Sequence, residues 1–170
     1  MQTASYSKYF AGFFASGVLQ RQMEESVTLV KSVRRIFFIG NGGSNSICSH
    51  MMEDYGKIGG FRTFAFSDPA LITCYANDYG YENAMAEWLK LHLDAGDMLV
   101  AISSSGESKN IVNAVAIAKE KNAKIITLSG FAEQNTLSKM GAINMHLPVK
   151  NYGIVECFHQ TILHIILDSL

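Results

Sequence analysis

The sequence predicts an α/β protein: a doubly wound parallel sheet of five strands flanked by helices and preceded by an amphipathic helix. Five short runs, RIFFIG (35–40), TFAFS (63–67), DMLVAIS (97–103), AKIITLSG (123–130) and INMHLPV (143–149), read as strands. Several are almost continuously apolar, as in sheets buried on both faces. Segments of helical spacing lie between and after them, at about 44–57, 69–76, 82–93, 108–121, 132–140 and 154–168. Alternation of strands with helices implies crossover connections, hence parallel pairing.

Ahead of the first strand, apolar residues recur at Tyr9, Phe10, Phe13, Phe14, Val18, Met23, Val27 and Val30. That spacing predicts one long amphipathic helix over 5–31. Its doubled aromatic stripe suits either the core of this chain or contact with a partner subunit. A length of 170 residues suits one domain. The chain thus divides into an N-terminal helix (1–33) and an α/β core (34–170), with no repeat, linker or low-complexity tract.

In doubly wound sheets ligands sit where strands end and helices begin. After RIFFI comes GNGGSNS, with Gly40, Gly42 and Gly43 in four positions and Ser44 opening the next helix. Glycines let the backbone turn tightly and approach a ligand, and free N–H groups at a helix start attract anions. A dinucleotide fingerprint would need a third glycine where Asn45 stands, and no Gly-Lys-Ser/Thr closes the loop as in a Walker A motif. A structural glycine turn is the alternative. Further on, NDYGYEN (77–83) offers Asn77 and Asp78 for a helix start. DMLVAIS then runs into SSSGES, placing hydroxyls at Ser103, Ser104, Ser105 and Ser108. With the N–H groups of the following helix, these can bind a phosphate without any Lys or Arg. Capping accounts for one or two of these serines, not four.

Composition narrows the class. A formal charge of −1 gives no footprint for nucleic acid or anionic membrane. Cys48, Cys74 and Cys157 lack CxxC spacing, which favours a reducing, cytoplasmic setting over a disulfide framework. The N-terminus does not read as a signal peptide, and no apolar run reaches the roughly 18 residues that span a bilayer.

GNGGSNSICSHMMED, ANDYGYENAM, ISSSGESKNIVNAV and ECFHQTILHIIL occur in an order that resembles the sugar isomerase (SIS) domain family, and within it the phosphoheptose isomerases. The resemblance spans about 36–168. It implies a flavodoxin-like sheet, an N-terminal helix used in a homotetramer, and sites between subunits. It also implies a phosphorylated sugar as ligand, with Ser103, Ser104, Ser105 and Ser108 on the phosphate, Asn41, Gly42 and Ser44 on the sugar, and Asp78 on a sugar hydroxyl. The family pattern of His, three residues, Glu, then Gln, seven residues, His falls on His50 and Asp54, Glu156 and His164. This is the implied metal and catalytic set, with Glu156 also implied as a substrate contact. Asp54 is one methylene shorter than the pattern, with Glu53 beside it; Glu156 replaces an amide, and Gly153 stands where the family carries Asp. A family Arg after the first helix is not in register either, with Lys57 the nearest cation.

The residue types fit such chemistry on their own terms. His50 and Asp54, four apart, share a helix face, and Glu156, His159 and His164 share a side of the last helix. Two histidines with carboxylates and an open position suit zinc. Ketose–aldose isomerisation needs a base beside the reacting carbons and an acid beside the oxygen. His164 is expected as one proton-transfer residue and Asp54 or Glu53 as the carboxylate, with metal or Asn41 polarising the oxygen. His159, His92 and His146 read as structural or surface residues. The expected function is conversion of sedoheptulose 7-phosphate to D-glycero-D-manno-heptose 7-phosphate for surface polysaccharide. The alternatives are a non-catalytic phosphosugar-binding or protein-interaction module, or an isomerase of another sugar phosphate.

Overall fold

Alternate residues of the central strands serve two different cores, which is why their hydrophobicity is unbroken. The computed structural model describes residues 3–170. Its strands are β1 (Arg35–Ile39), β2 (Arg62–Ala65), β3 (Met98–Ser103), β4 (Lys124–Gly130) and β5 (Ile143–Leu147). The helices are α1 (Thr3–Phe14), α2 (Gly17–Lys31), α3 (Gly43–Lys57), α4 (Pro69–Tyr79), α5 (Tyr81–His92), α6 (Lys109–Glu120) and α7 (Tyr152–Asp168). All strand pairs are parallel, in the order β2-β1-β3-β4-β5. Ile36, Phe38, Val100 and Ile102 face a layer made by α2, α3 and α7. Phe37, Ile39, Leu99 and Ala101 face α5 and α6. The chain runs from β1 outward to β2 and then crosses back to β3, so the crevice between the ends of β1 and β3 is the topological switch point. Both expected ligand loops open onto it. No helix among the described residues is long and apolar enough to cross a membrane.

Three local expectations need correction. The single helix over 5–31 is two helices. Ser16 leaves the helical conformation (φ −73°, ψ 116°) and caps α2, its hydroxyl accepting from the Leu19 N–H. The break lets α1 fold back, so that Phe10, Phe13 and Phe14 pack on Phe158 of α7 with ring centroids 5.2–6.2 Å apart. The phenylalanines of the stripe are thus packed in part within the chain, while Tyr9 stays exposed. The helix expected over 132–140 is only a 3-10 turn at Leu137–Lys139. Buried Asn135 forestalls it, donating to the carbonyls of Gly130 and Ala132 and accepting from the Ser138 N–H. Asn77 and Asp78 do not start a helix; they lie in the last turn of α4. Gly80, at φ +76°, separates α4 from α5.

His159 is structural, as expected. It is fully buried on α7, and its Nε2–H donates to the Ser129 carbonyl at 3.1 Å. Burial holds its pKa down at about 4, opposed by that hydrogen bond and reinforced by neighbouring His146. The unfolded imidazole titrates near 6.5, so between there and about 4 the unfolded chain binds a proton that the folded chain refuses. Stability therefore falls as pH drops through that window and levels off below it, by roughly 3 kcal/mol in all at about 1.4 kcal/mol per pH unit. In His159→Gln, which keeps a donor for Ser129, the decline of melting temperature with pH should flatten. Identical slopes in both proteins would show that another group causes the decline.

Candidate active site

The glycine loop works by excluding side chains. A Cβ on Gly40 would lie 2.7 Å from the Ser44 backbone, so glycine there lets α3 start directly against the end of β1. Gly42 takes φ +54° at the N-cap of α3, and a Cβ on Gly43 would run into the Glu156 carboxylate. The amides of Asn41 and Asn110 pair reciprocally at 2.8 and 3.0 Å, and the Tyr81 hydroxyl donates to Asn41 at 2.8 Å. Asn45 ties the loop to the sheet by donating to the carbonyls of Gly40 and Phe66.

The serine loop is folded on itself. The Gly106 N–H donates to the Ser103 carbonyl at 3.0 Å, the Ser103 hydroxyl reaches Ser108 at 3.2 Å, and the Glu107 N–H donates to the Ser105 hydroxyl. Ser108 is the N-cap of α6 but makes no side-chain capping bond. The Ser104 hydroxyl is buried and has no partner among the described residues. A buried orphan donor is costly unless a ligand meets it. Ser44, Ser103, Ser104, Ser105 and Ser108, with Asn41, line a cavity of about 150 Å³. Tyr152, Glu156 and the floor residue Ile102 complete it, and no Lys or Arg is among its lining residues. Gly42 faces a neighbouring cavity that shares Asn41.

From this cavity a groove of about 430 Å³ runs between α3 and α7, lined by Gly43, Ser46, His50, Glu156, Cys157 and Gln160, with Ile47 beneath. Glu156 lines both spaces. The Tyr55 hydroxyl, on α3, donates to the Leu163 carbonyl of α7 at 2.9 Å and fixes the two helices against each other. That contact lies next in sequence to Asp54 and His164. His50 Nε2 is 3.2 Å from Asp54 Oδ2, and His164 Nδ1 is 3.8 Å from the same oxygen. The candidate ligand atoms of these three residues all lie within 4.8 Å of one another. Zinc held at about 2.0–2.2 Å by tetrahedral ligands needs them roughly 3.4 Å apart, so two nitrogens and one carboxylate here fit it.

The structure thus sets His50, clustered with Asp54 and His164, at one end and the four serines, Ser44 and Asn41 at the other. Glu156 stands with the serines, eight residues or about 12 Å along α7 from His164, and is not in the cluster. Exposed Glu53 is also outside it. Asp78 is exposed on α4, accepting from Asn77 and the Cys74 thiol rather than lining either space. The sequence reasoning missed Tyr81, Asn110, Tyr152 and Gln160. For Asn110 the signal was its place in the first turn after the serine loop; nothing local marks the others.

A family model for the SIS domain matches residues 16–130. Phosphoheptose isomerase from Fusobacterium nucleatum is 34% identical over 144 residues, 81% of this chain and 73% of that one. The chain belongs to the phosphoheptose isomerases of the SIS family. Its relative from Glaesserella parasuis is 32% identical over 143 residues, covering 81% of this chain and 74% of the relative. The solved phosphoheptose isomerase from Neisseria gonorrhoeae superposes with a TM-score of 0.87 over 98% of this chain and 93% of its own, at 23% identity. The fold of this SIS protein therefore follows that structure along nearly its whole length.

Proposed function

We propose that this SIS protein interconverts sedoheptulose 7-phosphate and D-glycero-D-manno-heptose 7-phosphate for surface polysaccharide. It would do so in the cytoplasm, as a homotetramer with sites between subunits. One observation carries the reaction: a cation-free serine cavity and a histidine–carboxylate cluster lie at opposite ends of one groove. Gly43 and His50 are seven residues apart on α3, about 10 Å at 1.5 Å per residue. That span suits an open-chain sugar phosphate whose carbonyl end is remote from its phosphate.

In this reading Ser103, Ser104, Ser105 and Ser108, with the first N–H groups of α6, hold the phosphate. Asn41, Gly42, Ser44 and Glu156 line the path of the carbon chain. Isomerisation takes a proton from C1 and protonates the C2 oxygen to give an enediol. Return of a proton to C2, with loss of the O1 proton, gives the aldose with nothing gained or lost. His164 has Nδ1 turned toward Asp54, leaving Nε2 to exchange a proton, and Asp54 balances the charge that the imidazole acquires. Zinc, where bound, would be held by His50, Asp54 and His164 and would polarise the carbonyl oxygen as a Lewis acid, a ligating His164 then acting as a hydrogen-bond donor rather than as the base.

The test is an aldose-product assay on sedoheptulose 7-phosphate with purified protein, as isolated, after chelation and with added zinc. Turnover that falls on chelation and returns with zinc is the expected result. A second reading, catalysis on a different sugar phosphate, draws on Glu156. Its carboxylate only accepts hydrogen bonds, so it asks the middle of the substrate for donors. Turnover of another sugar phosphate but not the heptulose would select that reading. Binding without any turnover would select a phosphosugar-binding module.

A further inference from the structure

We propose that Glu107 is a positioning residue that sets the grip of the serine loop on phosphate, acting from outside the cavity through Thr136. The inference rests on the reading of that loop as a phosphate site.

The loop is held on its inner side by its own serines. On its outer side it meets the connection between β4 and β5. There the Glu107 carboxylate accepts the Thr136 N–H at 2.7 Å and the Thr136 hydroxyl at 2.8 Å, using both oxygens on one residue. Next to it, the Leu137 N–H donates to the Gly106 carbonyl at 3.0 Å. Gly106 adopts φ +70°, and a side chain there would collide with the Asn135 amide. Asn135 is itself immobilised, only 1% exposed and bonded to Gly130 and Ala132. The loop thus closes against a rigid turn, and Glu107 is the side chain that clasps it. Ser105 and Ser108, the serines flanking Gly106 and Glu107, take their positions from this clasp.

Charge and geometry make opposite forecasts. A carboxylate beside an anion site repels the anion, so by charge alone its removal strengthens phosphate binding. Glu107 also precedes the α6 N-cap, where a negative charge favours the helix; that role would appear in stability and not in affinity. A clasp makes removal weaken binding.

The experiment is calorimetric titration of parent and variants with inorganic phosphate, alongside kcat and KM for the phosphosugar. Glu107→Ala should weaken phosphate about tenfold, the size expected when hydrogen bonds to a charged group are lost. KM should rise by the same factor with kcat unchanged, since the cluster lies at the far end of the groove. Glu107→Gln, which keeps one acceptor, should recover part of the affinity. Thr136→Ala, which keeps its N–H, should fall between, and the double variant should be no worse than Glu107→Ala. Both residues are exposed, so the variants should melt with the parent. Unchanged or tighter phosphate binding in Glu107→Ala would overturn the proposal. If the parent itself does not bind inorganic phosphate, the phosphate reading of the loop falls and the proposal falls with it.

Discussion

Replacing His164 by alanine is expected to lower kcat on sedoheptulose 7-phosphate by roughly 10²- to 10⁴-fold, the contribution of a positioned proton-transfer group. KM should change little, because the serine loop proposed to hold the phosphate is untouched. The side chain is 36% exposed, so the variant should fold and melt much like the parent. Phosphate titration of the variant should match the parent, separating loss of chemistry from loss of binding. A variant that keeps the parent kcat would remove His164 from the mechanism and shift attention to His50, whose ring centroid lies 5.3 Å away.

Ser104→Ala should show the opposite pattern. The Ser104 hydroxyl is the buried, unpartnered donor of the serine-lined cavity. In the free protein such a group costs about 1–3 kcal/mol, so alanine should raise the melting temperature or leave it unchanged. In the proposed complex that hydroxyl would meet a dianion, and its loss should weaken phosphate by roughly 10- to 100-fold. Stability up and affinity down from one substitution marks a group whose position serves a ligand rather than the fold. If alanine lowered stability and left phosphate affinity intact, Ser104 would have to be assigned to packing.

Much of this was legible because it is local. The five strands announce themselves by unbroken apolar runs, and the two ligand loops by their glycines and serines at strand ends. His50 and Asp54 are four apart on one helix, so their meeting needs only helical geometry. That His164 joins them depends on how the apolar face of α7 docks, with the Tyr55–Leu163 bond across it, which no spacing rule encodes. The same distance problem bears on Glu156, expected both as a metal ligand and as a substrate contact: it stands at the serine end of α7, outside the His50, Asp54 and His164 cluster. The break at Ser16 was visible as Ala-Ser-Gly, a weak helical tripeptide, but the apolar spacing on either side outweighed it. Asn135 was unreadable in sequence because its partners form only once β4 and the loop after it have folded.

The clustered residues come from widely separated stretches of chain. His50 and Asp54 belong to α3, whereas His164 lies 114 residues further on, in α7. During synthesis the earlier pair leaves the ribosome well before its partner exists, and domains settle as their elements appear. Two ligands on one exposed helical turn make a poor trap for a cation; three converging across a helix pair make a good one. Any cation proposed for this cluster could be captured only once α7 has docked, so that a loaded centre would report a finished fold.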